Sequence, residues 1–382
     1  MSDVVAMTLS PGEVKTCTFA RPEPGAGDLL VEVSSVGICG SDKHMYQGHA
    51  KLDFPVVAGH ELVGRVAVMG DEFHEQSNVV GGPLRPGDRV TVTPSTQGCG
   101  RCWYCQHVPH RPALCPNRTV YGFTPASRVP HLYGAFARIM YVGPRSNVFK
   151  IPDSVSTQRA VLTEPAAVAT RAVERAMGVG VPHIGEGLGL GKRVAVLGAG
   201  PIGLLVVAAL RHIGVGTIIV TDMSEARLEL ARSFGADAVL NLSSTDASQR
   251  LEAVRDLTDG VGPDVVIEAA GVAAAFAEGL QMVRRGGRLV EVGHYFESGT
   301  IALSPHTICQ KDVDIHGVWA YPPMQFEAAL RLLERSAAPL EQMLSTTLPL
   351  AELEKGIRMT GEPNVLKVTI EPQREADSCP QR

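Results

Sequence analysis

The segment from Val194 to Gly203 constrains this chain more than any other. It reads Val-Ala-Val-Leu-Gly198-Ala-Gly200-Pro201-Ile202-Gly203 and runs on into an apolar stretch ending at His212. A β-branched run, a G-x-G-x-x-G turn and an apolar helical run, in that order, make a strand–turn–helix. In such a unit the glycines give a tight turn, let the backbone approach a pyrophosphate, and let the helix pack closely on the strand. The free N–H groups of the helix start would face the phosphates. Thr217–Thr221 reads as the next strand and Asp222 closes it, about 20 residues beyond the glycines as the fingerprint requires. A carboxylate there accepts hydrogen bonds from ribose hydroxyls and repels a 2′-phosphate. NAD is therefore expected rather than NADP, with Arg227 the residue that would serve a 2′-phosphate if Asp222 turned away. Val292, closing a later strand, is counted with the cofactor-binding residues.

At 382 residues the chain is long enough for two domains, each with its own core. Lys and Arg number 35 against 40 Asp and Glu, a net charge of −5 with no basic patch, so no nucleic-acid partner is expected. No uncharged apolar run reaches membrane-spanning length, and the N-terminus lacks the layout of a signal peptide. A soluble, cytoplasmic protein is expected. Its eight cysteines are then read as metal ligands or buried thiols before disulfides are considered.

Up to about residue 60 the chain carries short alternating runs broken by Pro and Gly, with Leu29–Ser35 the clearest strand. Leu62–Val68 and Asp88–Val92 are further strands, and 71–87 reads as an exposed loop. Many short strands of this kind suggest an irregular barrel. Thr157–Met177 reads as one or two helices around Glu164, and the glycine-rich stretch 178–191 as a linker. From there strands and helices alternate as far as about Val318, which implies a parallel, doubly wound sheet. Val365–Ile370 is a late strand expected to rejoin the first domain, and the tail after Pro372 is polar.

Cys99, Cys102, Cys105 and Cys115 spell C-x2-C-x2-C-x9-C. Thiolates at this spacing close around one tetrahedral zinc and leave no position for substrate. His107 and His110 lie inside the loop and could stand in for Cys115. A dispersed set, Cys39, His60, Glu61 and Glu164, could form an open site, since a catalytic zinc needs fewer protein ligands. Spacing cannot show that these four meet. Taken singly, a lone Cys is more often a small core residue and a lone His a satisfied polar group.

Over nearly its whole length the chain resembles the zinc-dependent medium-chain alcohol dehydrogenases, in their sorbitol and threonine dehydrogenase branch. The matching motifs are G-I-C39-G-S41-D-x-H44, G59-H60-E61, the cysteine lobe, E164-P, the glycine turn and Asp222. The resemblance implies a GroES-like, irregular β-barrel catalytic domain over 1–177 with a structural zinc lobe at 95–118. It also implies a Rossmann NAD-binding domain over 178–320, and a return to the catalytic domain over 321–382. It carries catalytic zinc ligation to Cys39 and His60, with Glu61 and Glu164 as direct, water-bridged or neighbouring carboxylates. Ser41 and His44 match the proton relay. The substrate would be an alcohol or ketone, with one catalytic zinc, one structural zinc and NAD. No membrane partner is expected, and the assembly would be a homodimer or homotetramer.

Three departures stand out. The lobe has two more residues before Cys115 than the usual C-x7-C. The stretches 71–87 and 178–191 are longer than usual, and Arg138 stands where the family commonly has Glu. Tyr46, Tyr121, Phe123, His294 and Trp319 are candidates for shaping a pocket. The rival readings are a zinc-free quinone or enoyl reductase of the same superfamily, and a nucleotide-binding protein without turnover.

Overall fold

The computed structural model describes residues 3–177 and 188–375. Most of the expected linker at 178–191 and the end of the polar tail lie outside the described residues. The chain forms two compact units. One holds the residues up to Glu164 together with Pro322–Glu334 and Glu341–Arg382; the other holds Pro165–Tyr321 and Arg335–Leu340.

The first unit begins with β1 (Val4–Ser10), β2 (Glu13–Phe19), β3 (Leu29–Gly37) and α1 (Gly40–Tyr46). Next come β4 (Val56–Val57), β5 (Glu61–Met69), α2 (Phe73–Gln76), β6 (Asn78–Val80) and β7 (Arg89–Val92). The cysteine lobe contributes α3 (Trp103–His107), followed by β8 (Ile139–Val142), β9 (Asn147–Lys150) and α4 (Thr157–Ala160). The stretch 71–87 is not simply an exposed loop: it holds α2 and β6, and Phe73 is fully buried.

The helix α5 (Thr163–Ala176) leads to the second unit, in which β10 (Arg193–Leu197), α6 (Pro201–His212), β11 (Thr217–Asp222), α7 (Glu225–Phe234) and β12 (Ala238–Asn241) form one half. The other half is α8 (Ala247–Asp256), β13 (Val265–Glu268), α9 (Ala273–Met282), β14 (Arg288–Glu291), α10 (Pro305–Lys311) and β15 (Asp314–Gly317). All six strands run parallel in the order β12-β11-β10-β13-β14-β15. The strand order reverses between β10 and β13, where sheets of this type bind ligands at the strands' carboxyl ends. The expected boundary at 177 moves to Glu164 because the end of α5 is tied into this unit: Arg288 donates to the carbonyl of Ala176 (2.8 Å), and His316 Nδ1 contacts that of Arg175 (3.0 Å).

The chain then returns to the first unit with α11 (Gln325–Arg335), β16 (Leu344–Pro349), α12 (Leu353–Met359) and β17 (Lys367–Glu371). In α11, Phe326, Ala329, Leu330 and Leu333 are buried at helical spacing, and the Phe326 ring meets that of Phe149 at 5.4 Å. The strands of this unit make a three-stranded sheet, β2-β1-β4, and an eight-stranded one, β16-β17-β3-β5-β7-β9-β6 with β8 on β3. Among the described residues no pairing closes the larger sheet, so the expected barrel is an open one. The late strand does rejoin here, as the sequence suggested: β17 lies antiparallel to β3, Thr369 opposite Gly37.

Candidate functional site

Three neighbouring strands assemble the first cluster. β5 runs antiparallel to β3 with Glu61 opposite Gly37, which brings Cys39, just past the end of β3, to His60, just before β5. On the other side of β3, Ile38 donates to the carbonyl of Val368 at 2.9 Å, so Lys367 comes opposite Cys39. Cys39, His60 and Glu61 offer ligand atoms within 4.8 Å of one another. Gly37 leaves room for the Glu61 carboxylate, since a Cβ there would fall 2.1 Å from Glu61 Oε2.

The surroundings are buried and rich in negative charge. Burial alone would lower the pKa of His60, yet it is pushed up to about 10 by a hydrogen bond with Cys39 and the charges of Asp42, Cys39 and Glu164. The field that holds a proton on His60 is the field a divalent cation would meet. Thiol, imidazole and carboxylate are donors that suit zinc. His60 Nδ1 and Asp42 Oδ1 are both buried without a hydrogen-bond partner and face each other at 3.9 Å. Asp42 is thus placed to orient the imidazole of His60 from behind. Its other oxygen accepts the Cys39 N–H at 2.8 Å, and burial pushes its carboxyl above the usual range.

The structure separates the two glutamates. Glu61 is engaged by both oxygens with Lys367 Nζ, at 2.8 and 2.7 Å, and both side chains are almost wholly buried. Lys367 also donates to the carbonyl of Ile38 (3.2 Å). Burial works to discharge the ammonium, but Glu61, Cys39 and Glu164 together outweigh it and hold its pKa up. Glu164, in the first turn of α5, is buried and near enough to act electrostatically on His60 and Lys367, yet it stands outside the converging trio. Sequence reasoning missed both Asp42 and Lys367. Asp42 sat inside the quoted motif, whereas nothing local marked Lys367.

Ser41 Oγ lies 3.5 Å from His60 Nε2, and the Phe123 ring packs at 5.3 Å from the His60 ring. His44 is three residues along α1 from Ser41, on the same helix face. Tyr121 is a core residue bonded to Ser146, and Tyr46 bonds Glu354 at 2.7 Å. Arg138 is exposed, and its backbone rather than its side chain bonds Val5, Val33 and Gln373.

In the lobe the sulfurs of Cys99, Cys102, Cys105 and Cys115 all lie within 4.8 Å of one another. The two additional residues do not displace Cys115, whose sulfur accepts the Cys99 N–H at 3.2 Å and lies 3.8 Å from that of Cys102. The backbone N–H of Arg101, then Asn117, hold the Cys99 thiol down at about 5. At Cys105 a backbone N–H from Gly100 pulls the same way, but burial and the adjacent thiols push it up to about 11. Thiolates this close cannot all be charged without a cation among them. His107 stacks on Trp103 and contacts its carbonyl instead of joining the sulfurs.

The second unit carries the glycine turn. Gly198 has φ +101°, and a Cβ on Gly203 would fall 1.8 Å from the carbonyl oxygen of Gly198, so helix and turn approach as closely as glycine allows. A Cβ on Gly200 would meet nothing, which leaves open space over the start of α6 for a pyrophosphate, with Pro201 and Ile202 in its first turn. Asp222 is buried and accepts from the N–H groups of Ala199 (2.8 Å) and Ser224 (2.9 Å), so it braces the turn as well as ending β11. Arg227 follows in the first turn of α7, where Ser224 caps its N–H.

At the carboxyl ends of β13 and β14, Glu268, Glu291 and His294 form a third cluster, and Val292 donates from its backbone to Glu268 (3.0 Å). His294 Nδ1 lies 2.7 Å from Glu291, a hydrogen-bond distance. Burial, then Glu291, push the Glu268 carboxyl up to about 8. The ring of Tyr295, the next residue after His294, stacks on that of Trp319 with centroids 4.8 Å apart.

The alcohol dehydrogenase GroES-like domain family matches residues 25–153, and the zinc-binding dehydrogenase family matches residues 201–335. A sorbitol dehydrogenase of Bacillus subtilis (strain 168) is 33% identical over 371 residues, covering 95% of each chain. Among solved structures, an alcohol dehydrogenase from Thermotoga maritima is similar with a TM-score of 0.88 and 30% identity, over 97% of this chain and 100% of that one. A protein from Sinorhizobium meliloti 1021, solved with NADP bound, gives 0.83 at 30% identity over the same shares.

Proposed function

The chain belongs to the zinc-dependent medium-chain alcohol dehydrogenases, in their sorbitol and threonine dehydrogenase-like branch, and we propose that it oxidises a secondary hydroxyl of a polyol or amino alcohol to the ketone with NAD. The observation that carries this reading is the meeting of a half-buried Cys39 with buried His60 and Glu61, with Ser41 against His60, apart from the four-thiol lobe. We assign the unit with these clusters to catalysis and the unit with the glycine turn to the cofactor.

Cys39 and His60 would hold the catalytic zinc, with Glu164 direct or water-bridged, and the four lobe cysteines a structural zinc. A zinc held there would supply Lewis acidity that makes an alcohol easier to deprotonate, and a bound nicotinamide would supply the hydride acceptor. The chain does the rest. Asp42 orients His60 from behind, Lys367 neutralises Glu61, and Phe123 excludes water from one side. Ser41 Oγ takes the hydroxyl proton as its own proton leaves towards His44, and His44, which burial holds below the ordinary imidazole range, delivers a proton to solvent.

NAD is preferred over NADP in this reading because the Asp222 carboxylate would stand beside a 2′-phosphate. The NADP-bound protein of the same fold makes kcat/KM with each dinucleotide the direct comparison. A homodimer or homotetramer is supported by β15, which ends the sheet and is paired on one side only among the described residues. The unbridged thiols of the described cysteines support a cytoplasmic setting. The test is a panel of polyols, amino alcohols and cyclic alcohols, read as NADH appearance with zinc counted by elemental analysis. Two zinc ions per chain and turnover of a secondary alcohol are expected. Turnover of quinones or enones that survives chelation would overturn the reading.

A further inference from the structure

The reading above ends the proton path at His44, and the local structure continues it by one residue. Past α1 the chain turns back on itself through Gly48, at φ +80°, and His49 donates its N–H to the carbonyl of His44 at 2.9 Å. This return sets the two imidazoles beside each other, ring centroids 5.2 Å apart and planes tilted by 45°. Their Nδ1 atoms are 2.9 Å apart. Two lone pairs at that distance would repel, so the contact holds a proton between the rings. His49 is exposed, while His44 is only partly so.

We propose that His49 is a positioning residue for His44: it fixes the tautomer of His44 and carries to solvent the proton that His44 receives. This rests on the zinc dehydrogenase reading. With His44 Nδ1–H donating to His49 Nδ1, the lone pair of His44 is on Nε2 and ready to accept. A proton arriving there is matched by the Nδ1 proton crossing to His49 Nδ1 and by loss of the His49 Nε2 proton to water. One proton enters, one leaves, and no charge remains. A further exchange with water at the two Nε2 atoms, with the shared proton crossing back, restores the starting tautomers.

The electrostatics suit a donor that must release quickly. Burial, then His49 and Lys43, hold the pKa of His44 below its ordinary value. The elements packed on α1 add little. Lys43 is tied to the carbonyl of Thr360, and on α12 Glu354 and Arg358 are paired with each other and with Tyr46. β1 carries no titratable side chain.

The test compares His49→Gln and His44→Gln with the parent enzyme in a weak, non-imidazole buffer. The readouts are the transient rate of proton release, the pH profile of kcat/KM, zinc content and KM for the dinucleotide. Glutamine can fill a hydrogen bond but cannot pass a proton on. For His49→Gln, proton release should slow by about 3–10-fold, a modest share of what general acid–base groups contribute. The acid limb should move to higher pH, because the repulsion from His49 is gone. Added imidazole should restore the rate, and zinc content and KM should stay at parental values. A parental rate and pH profile for His49→Gln, with His44→Gln impaired, would overturn this proposal alone. Parental behaviour of His44→Gln would overturn the relay itself, and with it the role of His49.

Discussion

The two cysteine-containing clusters of the first unit are built on opposite plans. The lobe draws four thiols from 17 consecutive residues, Cys99 to Cys115, and its sulfurs are mostly half-exposed. The other centre draws Cys39, His60 and Glu61 from separate strand ends and takes its counter-ion, Lys367, from the far end of the chain. Four donors fill a tetrahedral site and suit holding the fold together, whereas three leave the fourth position for substrate. The lobe needs a cation because its thiols crowd one another. The mixed centre already contains a buried cation, so its charge is shared between Lys367 and whatever metal binds. The difference teaches that local spacing suffices to gather four thiols, while a mixed set of donors is gathered only by the surrounding tertiary structure.

Replacing His60 tests the separation most severely. His60→Ala should lose one zinc of two and reduce kcat by about 10³–10⁴-fold, since Lewis-acid stabilisation is worth several kcal/mol. Elemental analysis beside the rate checks both, and loss of both zinc ions would show that the two centres are not independent. The opposite variant, Cys102→Ser, should lose the other zinc and lower the melting temperature by about 5–15 °C, with the chemistry of surviving folded enzyme changed little. Two zinc ions and an unchanged melting curve would remove the lobe assignment.

The buried ion pair sharpens the contrast further. Lys367→Met leaves Glu61 buried and unpaired, which should cost about 3–5 kcal/mol in denaturant unfolding. Combining it with Glu61→Gln should recover most of that loss, because no buried charge is then left without a partner. A single variant as stable as the parent would show that Glu61 finds another cation. The smallest effect is expected at Glu164, which stands outside the converging trio. Glu164→Ala should slow kcat by about 10–100-fold, or 1.4–2.7 kcal/mol, with most of the zinc retained. Turnover at the parental rate would make it neither ligand nor tuner.

Much of this was legible in the residues because it is local. The strand, the glycine turn and the helix of the second unit follow one another within 20 residues, and each carries its own signal in backbone conformation or periodicity. The lobe is likewise a short-range pattern, and two additional residues were absorbed before Cys115 without moving its sulfur away. The alternation that announced a parallel sheet is also a property of neighbours in sequence. What the sequence alone could not settle is set by register. Only the pairing of β17 and β5 on either side of β3 brings Lys367 and Glu61 to Cys39, and a lysine in a late strand carries no mark of the partner it will find. The boundary at Glu164, the burial of Phe73 in a stretch that read as loop, and the open course of the larger sheet have the same origin. Each depends on which surfaces meet after the chain has turned back on itself, and hydrophobic contact and charge pairing are paid for only when distant residues arrive together.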